Sequence, residues 1–317
     1  MKEPIIEISQ LSKSYQEKMA VKDLSLTIHR GEVFGLLGPN GAGKSTTILM
    51  LLGMTEPSSG SCSVCGFDST TKPIEVKRKV GYLPDNIGFY DDLTGLENLT
   101  YTAQLNGIGK EEAADEARSI LKQVGLEESA NNKVRTYSRG MKQRLGLADV
   151  LIKRPEVIIL DEPTLGIDPK GVQELLELIK TLSKSVGITV LLSSHHLYQV
   201  QEICDRVGLF VDGTLVACGT IEELSNQLFE QEEVTTIVDV DDMDEQLLQA
   251  IKQVEHVITL NSDNKQIVVR SRRDVTSQLA QSIIQRGYQL TAISKRKYGL
   301  DDIYHRYFEG GKVHGGR

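Results

Sequence analysis

Residues 38–46 read Gly-Pro-Asn-Gly-Ala-Gly-Lys-Ser-Thr. The apolar run Val33–Leu37 precedes them and an apolar helical pattern through Leu52 follows. The segment thus satisfies G-x-x-x-x-G-K-[ST] in the strand, loop and helix setting that the pattern requires. Glycines let such a loop curl until successive N–H groups converge on one anion, and the helix start adds the positive end of its dipole. An exposed helix terminus contributes only about 0.3–1 kcal/mol to anion binding. Lys44 and the N–H cradle must therefore carry most of the affinity for a polyphosphate. The candidate phosphate-binding residues are Gly38, Pro39, Asn40, Gly41, Ala42, Gly43, Lys44, Ser45 and Thr46. Lys44 is expected on the β and γ phosphates and Ser45 on Mg2+, a hard cation that takes oxygen ligands.

Further short β-branched runs, Val80–Leu83, 157–160 and 188–192, are interleaved with helical patterns, which implies a mainly parallel α/β sheet. Residues 5–8 and 21–28 come earlier, with Leu24, Leu26 and Ile28 on one face and Ser25 and Thr27 on the other. Such alternation suits an antiparallel edge sheet. From Thr94 the pattern becomes helix-rich, with Leu96, Leu99 and Ala103 at helical spacing and a second stretch over 113–124. Together with the helix that follows, this insertion reaches about residue 150.

Two more groups share the sheet edge where α/β proteins place ligands. The run 157–160 ends in Asp161-Glu162. Asp161 is the candidate metal ligand, and Glu162 the candidate base that orients and deprotonates an attacking water. His195 follows the run 188–192 and Ser193-Ser194, so it can reach a γ-phosphate, with His196 as the competing candidate and a capping or packing role as the alternative.

The 317 residues carry 36 Lys+Arg against 44 Asp+Glu, a net charge of −8. That balance argues against a nucleic-acid partner held by bulk positive charge. No apolar run approaches the roughly 18 residues needed to span a bilayer. The opening Met1-Lys2-Glu3-Pro4 lacks the pattern of a secretory signal. The four cysteines are too few to form a disulfide framework in a chain of this length, so a cytoplasmic location is expected. Cys62-Ser63-Val64-Cys65 has metal or redox spacing, but a lone pair in a strand-like stretch reads as structural. The basic runs 270–273 and 295–297 read as solvated faces.

The length suggests one large domain or two of unequal size. A composition shift around Glu230, Glu232 and Glu233 precedes an apparent β-α-β-β-α-β order, the order of a split βαβ module. The expected division is 1–230, 231–309 and a mobile tail over 310–317.

Between the glycine-rich loop and Asp161-Glu162 stands Tyr137-Ser138-Arg139-Gly140-Met141-Lys142-Gln143-Arg144, and beyond them Leu165-Gly166-Ile167-Asp168. The order of these segments, closed by Ser-Ser-His, resembles the nucleotide-binding subunit of an ABC transporter over about residues 1–230. The resemblance implies an α/β P-loop NTPase of ABC ATPase type: a RecA-like core, an antiparallel β subdomain and a helical subdomain, here followed by a small α+β ferredoxin-like domain. It implies ATP hydrolysis by a head-to-tail homodimer that sandwiches ATP and Mg2+. It also implies a separate integral membrane permease on whose inner face the subunit sits, docked through the insertion 94–124.

Carried over residue by residue, Tyr15 stacks on adenine and Ser138, Gly140 and Met141 meet the partner's nucleotide. Asp168 becomes the cross-dimer aspartate and His195 the switch histidine. Two departures stand out. Tyr-Ser-Arg-Gly-Met replaces the usual Leu-Ser-Gly-Gly-Gln. Asp85 replaces the usual glutamine after Gly81-Tyr82-Leu83-Pro84, which makes it a third candidate metal ligand. The stretches 81–90 and 137–148 and the tail 298–304 also resemble the ATPase of the exporter that helps mature the copper centres of nitrous oxide reductase. A soluble ABC-type assembly or regulatory ATPase is the alternative, as is an exporter of a drug, peptide or lipid. A phosphotransferase is disfavoured by residues 138–140 and Glu162.

Overall fold

The structure, a computed structural model, describes residues 3–229, 233–263, 265–296 and 298–310. The expected mobile tail from residue 311 onward, Glu230 and Glu232 of the acidic patch and Lys297 of the second basic run lie outside the described residues. The chain divides into two compact units, one reaching Ile221 and the other spanning Glu222–Gly310. The second unit begins at Glu222, whereas the sequence places the boundary at 231.

The first unit opens on a long antiparallel hairpin, β1 (Pro4–Tyr15) and β2 (Lys18–His29), followed by β3 (Val33–Leu37) and α1 (Lys44–Leu51). β4 (Ser59–Val64) and β5 (Phe67–Asp68) join the hairpin in a four-stranded sheet of order β2-β1-β4-β5. Leu24, Leu26 and Ile28 turn inward along β2, as their alternation predicts, and pack with Ile6, Ile48 and Leu51. Next come α2 (Pro73–Lys79) and β6 (Val80–Leu83).

The insertion holds α3 (Gly95–Leu105) and α4 (Lys110–Gln123). Thr94 starts α3 through a reciprocal capping box: its hydroxyl accepts from Glu97 N, and Glu97 Oε2 accepts from Thr94 N. α5 (Arg139–Leu151) begins at Ser138, whose hydroxyl accepts from Met141 N at 3.2 Å.

The rest of the unit comprises β7 (Val157–Asp161), α6 (Pro169–Val186), β8 (Thr189–Ser194), α7 (Leu197–Gln201), β9 (Arg206–Val211) and β10 (Thr214–Gly219). A second sheet runs β10-β9-β3-β8-β7-β6 and is parallel except for β10. All five residues of β3 and of β7 are buried, which is why these strands read as continuous apolar runs. Register places Leu37 beside Ser194 and Asp161 beside Ser193. The loop at Gly38, the acidic pair and His195 therefore leave the sheet at one edge.

The second unit contains α8 (Ile221–Phe229) from its second residue, then β11 (Val234–Val240), α9 (Glu245–Lys252), β12 (Val257–Asp263), β13 (Gln266–Ser271), α10 (Thr276–Gln285), β14 (Leu290–Lys295) and α11 (Leu300–Gly310). From β11 to β14 the element order is β-α-β-β-α-β, and the antiparallel sheet has the order β12-β13-β11-β14. Val238, Ile251, Ile267, Val269, Leu279 and Ile283 form its core.

Candidate nucleotide site

The glycine-rich loop takes its shape from backbone that side chains would obstruct. Gly38 has φ +156°, and a Cβ there would lie 2.3 Å from the Phe210 carbonyl oxygen. Gly43 has φ +107°, and its Cβ would meet the Ala20 carbonyl at 2.4 Å. The loop is thus pressed between β9 and the β1–β2 hairpin. Inside it, Lys44 Nζ donates to the carbonyls of Gly38 (2.7 Å) and Pro39 (3.2 Å). Lys44 is 5% exposed, and its ammonium stands 3.5 Å from Glu162 Oε1.

The acidic pair is fixed from β8. The Ser193 hydroxyl donates to Asp161 Oδ1 and accepts from Glu162 N at 3.1 Å, while the Ser193 carbonyl accepts from the same N–H at 3.2 Å. Ser45 Oγ donates to Asp161 Oδ1 at 3.3 Å. Glu162 adopts φ +49°, a left-handed backbone uncommon for a residue with a Cβ. That conformation accompanies contact with Lys44 through one carboxylate oxygen and with His195 Nδ1 through the other, at 2.9 Å. The His195 and His196 rings lie 4.0 Å apart, tilted by 40°. Burial holds the His196 pKa below the usual histidine value, and the neighbouring His195 adds to the shift.

A pocket of about 610 Å³ opens over these groups. Of the residues expected from sequence, Asn40, Gly41, Gly43, Lys44, Ser45 and Thr46 line it. Asp161, Glu162 and His195 form its acidic side, and Tyr15 and Asp85 also reach it. Gly38, Pro39 and Ala42 shape the loop without lining the pocket; Ala42 N, for instance, donates to the Pro39 carbonyl. Tyr15 is half exposed, with Lys13 Nζ 4.9 Å from its ring centroid. Tyr82, on β6 before Asp85, has its phenol pushed up to about 12 by burial and by the charges of Asp161 and Asp85.

Ser138, Gly140, Met141 and Asp168 do not line the pocket of their own chain. Asp168 caps α6, accepting from Gly171 N at 3.0 Å. Lys18 and Ala20 line the pocket without having been singled out from sequence, and Leu165, read there only as part of the segment before Asp168, lines it too. Lys18 pairs with Tyr15 across the hairpin, so the signal for it was the tightness of the β1–β2 turn. Ser193 was visible only as a neighbour of His195.

The oxygen donors of Ser45 and Asp161, set beside the loop, have the chemistry that suits Mg2+. The cysteines offer no comparable centre: burial pushes the Cys65 thiol up to about 11, and all four cysteines are free. Among the described residues no helix is long and apolar enough to cross a membrane.

A strand, a phosphate-shaped loop and helix, and an acidic pair with a histidine at one edge of a parallel sheet define a P-loop nucleotide-binding protein. The family model described as ABC transporter matches residues 21–165. The linearmycin resistance ATP-binding protein LnrL of Bacillus subtilis (strain 168) is 38% identical over 255 residues, covering 80% of each chain. The bacitracin transport ATP-binding protein BcrA of Bacillus licheniformis is 42% identical over 212 residues, 67% of this chain and 68% of its own. Among solved structures, an ATP-binding subunit of an ABC transporter aligns with a TM-score of 0.63 at 32% identity, covering 70% of this chain and 92% of that one. A dimeric post-hydrolysis structure of the ATP-binding cassette MJ0796 bound to ADP and Pi aligns at 0.62 with 25% identity, covering 68% and 98%. The chain belongs to the ATP-binding subunits of ABC transporters.

Proposed function

We propose that this chain is the ATP-hydrolysing subunit of an ABC exporter, working as a head-to-tail homodimer on a separate membrane permease at the cytoplasmic face. The observation that carries this reading is the meeting of Lys44, Asp161, Glu162 and His195 in one pocket, while Ser138, Gly140, Met141 and Asp168 stay outside it. A site with its nucleophile-activating side complete and its capping segment elsewhere calls for a second copy. The dimeric MJ0796 cassette supports that arrangement.

In this reading the loop N–H groups and Lys44 hold the phosphates, and Tyr15 stacks on the base. Ser45 and Asp161 would hold Mg2+, with Asp85 as a third candidate ligand; when bound, Mg2+ would neutralise charge on the phosphates. Glu162 takes the proton of the attacking water, and His195 holds the carboxylate and meets the γ-phosphate. Asp168 reaches across the dimer from the start of α6.

The insertion supplies the docking surface. Between α2 and the α3–α4 turn lies a groove of about 560 Å³ lined by Ile74, Lys77, Arg78, Asn106, Ile108 and Glu112, among others. A cytoplasmic segment of the permease seated there turns ATP-driven closure into movement.

Two relatives are named for linearmycin resistance and bacitracin transport, which favours an antibiotic-like cargo. Copper-enzyme maturation rests on the stretches 81–90, 137–148 and 298–304 alone. Native pull-down tests the motor reading: an equimolar multi-helix membrane protein is expected, and recovery of the chain without one overturns it. Deleting the gene separates the cargoes, antibiotic sensitivity standing for one and loss of copper-enzyme activity for the other.

A further inference from the structure

Arg139 occupies a position where the family pattern has glycine, and no described residue of its own chain pairs with its charge. It is the exposed first residue of α5, whose first turn contains no acidic residue. Among the described residues no ion pair or hydrogen bond joins Arg139 to a carboxylate. Its guanidinium lies instead against Gly166, where a Cβ would stand 2.8 Å from Cζ and 2.9 Å from Nε. Gly166 has φ +72°, so the loop before Asp168 has both the backbone and the open space that seat this cation. The mounting is firm. Tyr137, just before α5, is buried, and its hydroxyl donates to the Ser129 carbonyl at 2.7 Å.

An unpaired cation at the positive end of a helix is unfavourable for the isolated subunit. It becomes favourable when a polyanion is brought to it, and a guanidinium grips two phosphate oxygens at once in a way that glycine cannot. The chain's own pocket does not supply that anion, since residues 138–141 do not line it. We infer that Arg139 contacts the phosphates of the nucleotide bound by the second copy, beside Ser138 and Gly140. This rests on the head-to-tail reading above. Leu165, adjacent to Gly166, lines the chain's own pocket, so Arg139 also ties the partner's nucleotide to the wall of its own site.

The test uses the full chain carrying Glu162→Gln, with dimerisation followed by sedimentation velocity against Mg-ATP concentration. Adding Arg139→Ala is expected to raise the half-maximal ATP concentration about tenfold, the scale of one hydrogen-bonded charge. It also flattens the weakening of the dimer by added NaCl, which a purely structural residue would not do. Arg139→Lys keeps the charge but loses the two-oxygen grip, so it is expected to fall between the parent and Arg139→Ala. A rise smaller than about threefold for Arg139→Ala, in a parent that dimerises, overturns the inference and leaves the dimer standing. If the Glu162→Gln parent forms no dimer with ATP, the head-to-tail reading falls and the inference with it.

Discussion

Glu162 Oε2 lies 2.9 Å from His195 Nδ1, and its buried Oε1 faces Lys44 at 3.5 Å with no hydrogen-bond partner of its own. The carboxylate is thus held from one side and left with a free acceptor on the other. With Nδ1 donating to Glu162, a neutral His195 ring presents Nε2 as an acceptor. To donate to a phosphate as well, the ring must be protonated or must turn away from Glu162. On the proposed reading, in which His195 also meets the γ-phosphate, a neutral ring would have to give up its bond to Glu162.

Replacing Glu162 by Gln removes the proton acceptor and keeps the shape of the pocket. ATP binding is expected to survive, while phosphate release falls by about a hundredfold or more, the usual contribution of a general base. A phosphate-release assay beside a binding titration separates the two effects, and near-normal turnover would remove Glu162 from the base role. Lys44→Ala, by contrast, is expected to abolish nucleotide binding.

Gly38 and Gly41 make a paired comparison of steric collision against backbone strain alone. Ala at 38 drives a methyl into the Phe210 carbonyl, whereas Ala at 41, with φ +81°, meets nothing within 4 Å. Gly41→Ala is expected to cost about 1–2 kcal/mol for left-handed backbone. Gly38→Ala costs more than about 2 kcal/mol because β9 must also shift. Urea denaturation of the two variants gives the order, and equal stabilities would contradict it.

Much of this site was legible because the chemistry is written in contiguous segments. The loop 38–46, Asp161-Glu162 and His195 each follow a buried strand, and Val33–Leu37 and Val80–Leu83 have the bounds read from their apolar runs. What escaped were partners supplied by pairing. Phe210, whose carbonyl limits Gly38, sits on β9, and the β9–β10 hairpin was overlooked despite its Asp212-Gly213 turn, with φ +46° and +82°. Ser193 holds Asp161 only through the β7–β8 register, and Gly166 seats Arg139 only through tertiary packing. Spacing along a chain does not report such contacts.

In the second unit, Asp274 has its pKa lowered to about 2, first by pairing with Lys295 and then by the hydroxyl and N–H of Thr276, at 2.7 and 3.0 Å. A depressed carboxyl stabilises the fold above its unfolded pKa near 3.9, and the contribution is lost as pH falls through the folded value. Both side chains of the pair are about half exposed, so the effect at pH 7 stays under about 1 kcal/mol. Asp274→Asn is therefore expected to speed hydrogen exchange in β13 and β14 at pH 7. The same difference measured by denaturation closes as pH falls through 2; one that persisted there would rule out the ionised pair as its source.

Ser193 bears on both carboxylates at once. Its hydroxyl, fully buried, donates to Asp161 and accepts from the Glu162 N–H. Ser193→Ala leaves the Glu162 N–H with the Ser193 carbonyl at 3.2 Å, so the backbone at 162 remains bonded. The Asp161 carboxylate loses a donor and keeps that of Ser45, at 3.3 Å. If Ser193 positions the metal ligand, the variant needs more Mg2+ for half-maximal turnover, by about tenfold, the scale on which outer partners of metal ligands act. A purely structural serine would instead lower stability and leave the Mg2+ dependence where it was. Titrating Mg2+ at saturating ATP, beside an unfolding curve, distinguishes the two. Ser193→Thr retains a hydroxyl and is expected to restore part of the Mg2+ affinity, which a mere loss of packing would not.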